Sequence, residues 1–160
     1  MLPELAGRPI RVEVRRSLGS HLAATSIPRR LILLDAAVFA CRGDFERILI
    51  HELFHFAWVR LSNQQRRDWE DVLVQELSAR AKGELGWSAE WRKHTLTRTD
   101  ARRRTLRWRR YACESFCDTA AWLFSGLLKH DEFTLAGPLR RLRRQWFTRT
   151  LADGRDTLRV

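Results

Sequence analysis

Two histidines and a glutamate with the spacing of a zinc hydrolase lie in the first half of the chain. The segment reads His51-Glu52-Leu53-Phe54-His55, which is the HExxH pattern. Residues four apart lie one above the other on an α-helix, so both imidazoles could hold one zinc ion. Glu52 is rotated by about 100° from His51 and would act as general base for a water that attacks a carbonyl carbon. The motif therefore predicts zinc-dependent hydrolysis.

The helix that must carry this motif is predicted to begin at Asp44, directly after Gly43, and to extend through DFERILIHELFHFAWVRL. Asp is a favoured residue at a helix N-terminus. Apolar side chains cover nearly the whole circumference of this segment, which is typical of a helix buried in a core. Two histidines and a carboxylate in such a place are costly unless they are satisfied by a partner. This context favours metal binding over a chance match to the pattern.

A catalytic zinc ion usually has three protein ligands, so a third ligand is expected elsewhere in the chain. A histidine six residues after His55 is excluded, because Leu61 occupies that position. The best candidates are Glu114 and Asp118, which stand four residues apart in an otherwise apolar helical segment. One of the two could bind zinc while the other hydrogen-bonds a ligating histidine. Glu76, on the helix that follows the HExxH segment, is the alternative ligand.

With these two motifs the chain resembles the gluzincin metallopeptidases, the thermolysin-like group with HExxH on one helix and Glu-x-x-x-Asp on a later one. The resemblance covers about 44–60 and 111–122, and the family's frequent Asn before the Glu is Cys113 here. It implies that Glu114 is the third zinc ligand and that Asp118 orients the first histidine. We therefore expect a zinc peptidase that acts on peptides or proteins.

The resemblance also implies a Tyr or His that stabilises the oxyanion formed during peptide hydrolysis. Tyr111 is the only tyrosine of the chain and precedes Glu114 by three residues, so it is the first candidate; His94 and His130 are the alternatives. A strand near 31–34 is further expected to border the cleft and to pair with an extended substrate. An ordinary core strand is an equally good interpretation of that segment.

The elements around the motif predict an α+β, zincin-like fold in one domain, 1–160, with a small N-terminal β-sheet followed by a mainly helical region. Ile10, Val12 and Val14 alternate with charged residues as in a half-buried strand. An apolar run at 30–38 predicts a second strand that contains 31–34, and 21–26 gives a weaker strand signal. Further helices are expected at about 63–82, 87–96, 111–125 and from Pro138 onwards, whereas 98–110 receives no assignment.

The composition is strongly basic. The chain has 30 Lys and Arg against 19 Asp and Glu, a net charge of +11, and almost all of its cations are arginines. Such a surface could bind nucleic acid, an acidic protein or an acidic substrate, or could simply be solvated. A DNA-associated protease of the SprT-like group and a non-catalytic zinc or nucleic-acid-binding domain are therefore the alternative functions. The SprT-like group uses a third histidine, for which the sequence after His55 offers no suitable candidate.

The cysteines and the hydropathy bear on the cellular compartment. Cys41, Cys113 and Cys117 form no disulfide framework and fit a reducing environment. Cys113 and Cys117 share a helix face and are interpreted as small core residues in preference to metal ligands. No apolar run approaches the roughly 18 residues that span a bilayer, and the N-terminus shows no secretory signal. We expect a cytoplasmic protein that does not contact a membrane.

Overall fold

The computed structural model describes residues 2–41, 43–152 and 157–160. Within these residues the protein is α+β, with short strands near the N-terminus and helices over most of the remainder, as predicted. The strands are β1 (Glu4–Ala6), β2 (Arg11–Arg15), β3 (Ala23–Ser26), β4 (Leu31–Asp35) and β5 (Thr157–Arg159). The helices are α1 (Asp44–Arg60), α2 (Asn63–Ser78), α3 (Trp87–His94), α4 (Arg98–Arg103), α5 (Leu106–Phe124) and α6 (Gly137–Ala152).

The main sheet has the strand order β2-β4-β3, in which β2 is parallel and β3 antiparallel to β4. Because β4 is paired on both sides, the interpretation of 31–34 as a core strand is confirmed, and the expectation that this strand borders the cleft is wrong. The strand at the edge next to the HExxH helix is β3. It is joined to α1 where the Thr25 hydroxyl donates to the backbone carbonyl of Glu52 at 3.3 Å.

The two valines of β2 are more exposed than their alternation suggested. Val12 and Val14 are 48% and 53% exposed, whereas their partners on β4, Ile32 and Leu34, are fully buried. The reason is the position of the strand in the sheet. Helix α1 packs against β3 and β4, and β2 extends beyond them as an edge strand.

Local capping explains where the helices begin. Helix α1 starts at Asp44 as predicted, but the N-cap is Gly43, whose φ of 88° is left-handed, so that Asp44 lies inside the first turn. The arginine-rich stretch at 98–110 contains α4 and the start of α5, separated by Arg104 and Thr105. Thr97 and Asp100 form a capping box for α4, and the Thr105 hydroxyl caps α5, which begins at Leu106, five residues before its predicted start.

Helices α1 and α5 pack side by side over most of their length, and this contact builds the core beneath the motif. Phe116 of α5 stacks on Phe147 of α6 with ring centroids 5.0 Å apart, and Phe54 of α1 lies 5.8 Å from Phe116. All three rings are buried. This packing fixes the HExxH segment rigidly against α5.

The pairing of the two chain ends has no counterpart in the sequence-based expectations. Strands β1 and β5 join the two ends of the chain in a small parallel sheet, with Leu5 opposite Leu158. Strands of three residues are too short to leave a recognisable periodicity. Separately, none of the helices among the described residues is long and apolar enough to span a membrane.

Candidate metal centre

Helices α1 and α5 place the predicted ligands opposite each other. The imidazoles of His51 and His55 are one turn apart on α1, with ring centroids 5.0 Å from each other. Across from them, α5 presents Glu114, Cys117 and Asp118. Single donor atoms of His51, His55 and Cys117 lie within 4.8 Å of one another, so this group could hold a metal ion.

His51 is held from both of its ring nitrogens by carboxylates of α5. Its Nδ1 lies 2.7 Å from Oδ1 of Asp118, and its Nε2 lies 3.3 Å from Oε2 of Glu114. A carboxylate partner on Nδ1 favours the tautomer that carries its proton there, which leaves the lone pair of Nε2 for a cation. The structure thus brings Glu114 and Asp118 to the same imidazole, in agreement with what the resemblance implied.

Asp118 is itself fixed by the start of α3. Its side chain is 4% exposed, and its Oδ2 accepts a hydrogen bond of 2.9 Å from the backbone N–H of Ala89. Gly86 lies directly against the same carboxylate, and a Cβ at this position would overlap it. The absence of a side chain at Gly86 is therefore what allows Asp118 to reach His51. No local pattern predicts this contact, because Gly86 and Asp118 are 32 positions apart in the sequence.

His55 has thiols where His51 has carboxylates. Its Nδ1 lies 3.5 Å from the Sγ of Cys113 and 3.5 Å from the Sγ of Cys117. The expectation that both cysteines are plain core residues is incomplete, since they line the candidate centre as well as the core. Because both thiols face Nδ1, the Nε2 of His55 is the nitrogen that they leave for a cation.

The electrostatics of the centre suit a cation. Burial disfavours the protonated form of His51, but the carboxylates of Asp118, Glu114 and Glu52 outweigh it and raise the pKa of His51 well above its ordinary value. Burial alone would raise the pKa of Glu114, yet the nearby His51, His55 and Arg92 lower it overall. The pKa of Cys113 falls to about 6 through its hydrogen bond with Cys117, opposed by burial and assisted by His55.

Glu114 has a second partner at the rim of the centre. Its Oε1 lies 3.2 Å from a guanidinium nitrogen of Arg92 on α3, while its Oε2 faces His51. The side chain of Glu114 is 15% exposed. This arrangement fixes the orientation of the carboxylate and leaves one oxygen directed at the histidines.

Tyr111 does not lie in this centre. Its ring is fully buried, and its hydroxyl donates to Oε1 of Glu84 at 2.5 Å, on another side of α5. The expectation that Tyr111 stabilises an oxyanion is therefore not supported by its position. Burial and the adjacent Glu84 carboxylate raise the pKa of Tyr111 well above its ordinary value.

Glu76, the alternative ligand, also belongs to that separate buried network. Both of its carboxylate oxygens are bound by Arg143, at 2.9 and 2.6 Å, and Arg143 also contacts Glu84 at 2.7 Å. All three side chains are at most 1% exposed. A carboxylate occupied in this way by a buried guanidinium is not available to the histidines of α1.

A cleft of about 380 Å³ opens beside His51. Its walls include Ala23, the first residue of β3, together with His21, Trp87 and Asp118. A larger concavity of about 590 Å³ lies between α2, α3 and α4, and its lining contains none of the residues of the candidate centre. The smaller cleft, which is lined by His51 and Asp118, is therefore the candidate substrate-binding site.

The two other histidines considered for the oxyanion do not line this cleft. His94 is exposed at the end of α3, and the Nε2 of His130 lies 3.3 Å from Asp44 at the start of α1. Besides His51, the cleft is lined by His21, to which the sequence assigned no role. The weak strand signal at 21–26 gave no indication of such a role.

Comparisons with protein-family models, with curated proteins and with solved structures return no match to this chain. The assignment of function therefore depends on the geometry of the centre.

Proposed function

We propose that this protein is a zinc-dependent peptidase with a zincin-like fold, in which Glu52 is the general base. One observation carries the proposal. Asp118 holds Nδ1 of His51 at 2.7 Å, while Glu114 lies 3.3 Å from Nε2 of the same ring. A ligating histidine oriented by a carboxylate, beside a further carboxylate that can bind the ion, is the arrangement expected of a catalytic zinc site.

The donors present fit zinc. The nitrogens available for the ion are Nε2 of His51 and Nε2 of His55, because the Nδ1 atoms face Asp118 and the thiols respectively. Two imidazoles and one carboxylate form a donor set common in zinc hydrolases, and a fourth position would stay open for substrate. We assign Glu114 as the third ligand. Cys117 is the alternative third ligand, because its thiol lies close to both histidines.

The residues of the chain have distinct roles in the proposed reaction. The chemistry that bound zinc would supply is Lewis acidity, which lowers the pKa of water and polarises the scissile carbonyl. Glu52, half-buried and next to His51 on α1, takes a proton from the attacking water. Among the described residues β3 is an edge strand of the main sheet, and this edge can pair with an extended substrate in place of the predicted 31–34 strand. His21 is the histidine placed to contact a substrate oxygen in the cleft.

Zinc-dependent proteolysis tests this proposal. The purified chain should cleave a denatured protein, lose that activity on treatment with a chelator and regain it on addition of zinc. Cleavage that is unaffected by the chelator, or no cleavage of any denatured protein by the zinc-loaded chain, would contradict it.

The third ligand is open to a direct prediction. Glu114→Ala should weaken zinc binding more than Asp118→Ala, for which an effect of roughly 10–100-fold is typical of a residue that orients a ligand. Cys117→Ala should change the affinity least, because its thiol faces Nδ1 of His55. Competition titrations with a zinc chelator would rank the three variants. If zinc affinity fell most in Cys117→Ala, the third ligand would be the Cys117 thiolate and the assignment of Glu114 would be wrong.

A second candidate function is nucleic-acid binding, and a specific concavity favours it. This concavity, of about 480 Å³, is lined by Arg66, Arg67, Arg104 and Arg109, with Glu70 as its one acidic residue. Glu70 is paired with Arg104 at 2.7 Å, so three cations remain in excess. Such a surface suits phosphates.

Salt dependence would test this second function. In the double variant Arg67→Ala/Arg109→Ala, the slope of log K against log salt for an oligonucleotide should fall by about 1.4–1.8, which corresponds to two lost phosphate contacts. Arg11 and Arg16, exposed near the N-terminus, provide a control pair of equal charge. An equal loss in both double variants would show diffuse charge attraction and no defined site.

A further inference from the structure

Two tryptophans stand exposed and stacked on helix α3. Trp87 is 64% and Trp91 54% exposed, and their ring centroids are 6.2 Å apart with planes inclined by only 16°. Large aromatic surface left in water is costly, and aromatic residues of this kind are enriched where a partner binds. Because the two rings stack on each other, they present a pre-ordered surface with few conformations to lose on binding.

The helix that carries these rings is anchored to the candidate metal centre. The backbone N–H of Ala89 binds Asp118 at 2.9 Å, and the side chain of Arg92 binds Glu114 at 3.2 Å. At the first residue of the helix, the backbone N–H of Trp87 donates to Glu132 at 2.7 Å. The position of the aromatic pair is therefore fixed relative to His51 by contacts with the same two carboxylates that approach the imidazole.

The cleft connects this pair to the proposed reaction site. Trp87 lines the 380 Å³ cleft together with His51, and the start of β3 at Ala23 lines it as well. A peptide that extends along the edge of β3 would therefore pass His51 in the same cleft as Trp87. A side chain of that peptide can reach the indole ring.

The charge of the cleft selects the kind of ligand. Apart from the histidines, its charged lining residues are one basic residue, Arg47, and two acidic ones, Asp118 and Glu132, although the chain carries +11. Arg47 is already paired with Glu132 at 2.8 Å. The described lining of the cleft therefore offers no unpaired arginine to a phosphate backbone, whereas it offers an aromatic face to an uncharged ring. The cleft thus contrasts with the arginine-lined concavity on α2 and α5.

We propose that Trp87, supported by the stacked Trp91, forms a subsite that binds an aromatic side chain of an extended peptide substrate. This inference rests on the proposed peptidase function and adds to it the class of residue preferred. Trp87 contacts the substrate, and Trp91 acts by holding the Trp87 ring in place.

Peptide binding to the zinc-loaded Glu52→Gln protein tests the subsite without turnover. Extended peptides that differ only in one Phe or Ala, placed at successive positions, are titrated by calorimetry. At the position that meets Trp87, the Phe peptide should bind roughly tenfold more tightly, and Trp87→Ala should remove that preference while leaving the Ala peptide unchanged. Trp87→Phe should restore most of the preference, and Leu128→Ala, at an unrelated residue that is 92% exposed, should leave it intact.

The possible results distinguish failure of the Trp87 subsite from failure of the proposed peptidase function. Binding and cleavage of peptides without any Phe preference, or with a preference that survives Trp87→Ala, would overturn the subsite alone. No binding of any peptide by the zinc-loaded protein would overturn the proposed function and the subsite together. A single-stranded oligonucleotide that displaces the peptide and loses affinity in Trp87→Ala would assign the ring pair to nucleobases and also overturn the inference.

Discussion

Glu52→Gln is expected to reduce kcat/KM for peptide hydrolysis by at least ~100-fold while the protein retains its zinc. The amide has nearly the shape of the carboxylate but cannot take a proton from water. Glu52 stands next to His51 on α1 and is not needed as a ligand, since Glu114 and Cys117 of α5 supply the other donors near the histidines. The measurement combines initial rates on a fluorogenic peptide with metal analysis of the same samples.

A matched control for this substitution lies on the same helix. Glu46 is exposed in the first turn of α1, so Glu46→Gln removes the same charge without touching the cleft. It should leave both kcat/KM and zinc content unchanged. If Glu52→Gln kept full activity, or lost zinc along with activity, the role of Glu52 as general base would be refuted.

Arg143→Met is expected to destabilise the fold by about 3–5 kcal/mol, a large part of the stability of a typical domain. Arg143 is fully buried and binds Glu76 with two nitrogens, and it also binds Glu84. The substitution preserves much of the side-chain volume but leaves two buried carboxylates without their guanidinium. Urea denaturation at pH 7 measures the difference, and Arg144→Met, exposed on the same helix, serves as the control.

The effect of Arg143→Met should also depend on pH. Although burial opposes ionisation of Glu84, the charges of Arg143 and Lys93 lower its pKa, so its contribution to wild-type stability is present above the ordinary carboxyl pKa and is lost as the pH falls. Without Arg143, burial should instead raise the pKa of the Glu84 carboxyl. The free energy of unfolding of the variant should then increase as the pH falls. The difference in free energy of unfolding between the wild type and Arg143→Met should therefore become smaller as the pH is lowered from roughly 7 to 4. A gap that is constant with pH, or below about 1 kcal/mol, would show that the network contributes little.

The parts of the structure that were predicted correctly depend on local patterns. The helix from Asp44 follows from its continuous apolar residues, and the one-turn spacing of His51 and His55 follows from helix geometry. The contact of Glu114 and Asp118 with His51 was expected from the family resemblance and from two acids on an apolar helix. The structure places both at that imidazole.

The parts that were missed depend on contacts between distant segments. Tyr111 precedes Glu114 by one turn, yet its ring faces Glu84, which nothing in the local sequence connects to it. Glu76 is turned toward Arg143, a residue 67 positions away. The order of strands in the sheet likewise depends on pairings that hydrophobic alternation does not reveal, so the sequence left open whether 31–34 borders the cleft or is a core strand, and did not identify β3 as the strand at the cleft.

The zinc content of the purified protein tests the central claim most directly. The wild-type chain, freed of metal and then equilibrated with zinc, should bind one zinc ion per chain tightly, and the double variant His51→Ala/His55→Ala should bind none at the same concentration. The double variant His94→Ala/His130→Ala, which removes two histidines outside the cleft, should bind as the wild type does. Stoichiometric zinc in the His51→Ala/His55→Ala protein, or none in the wild type, would contradict the account.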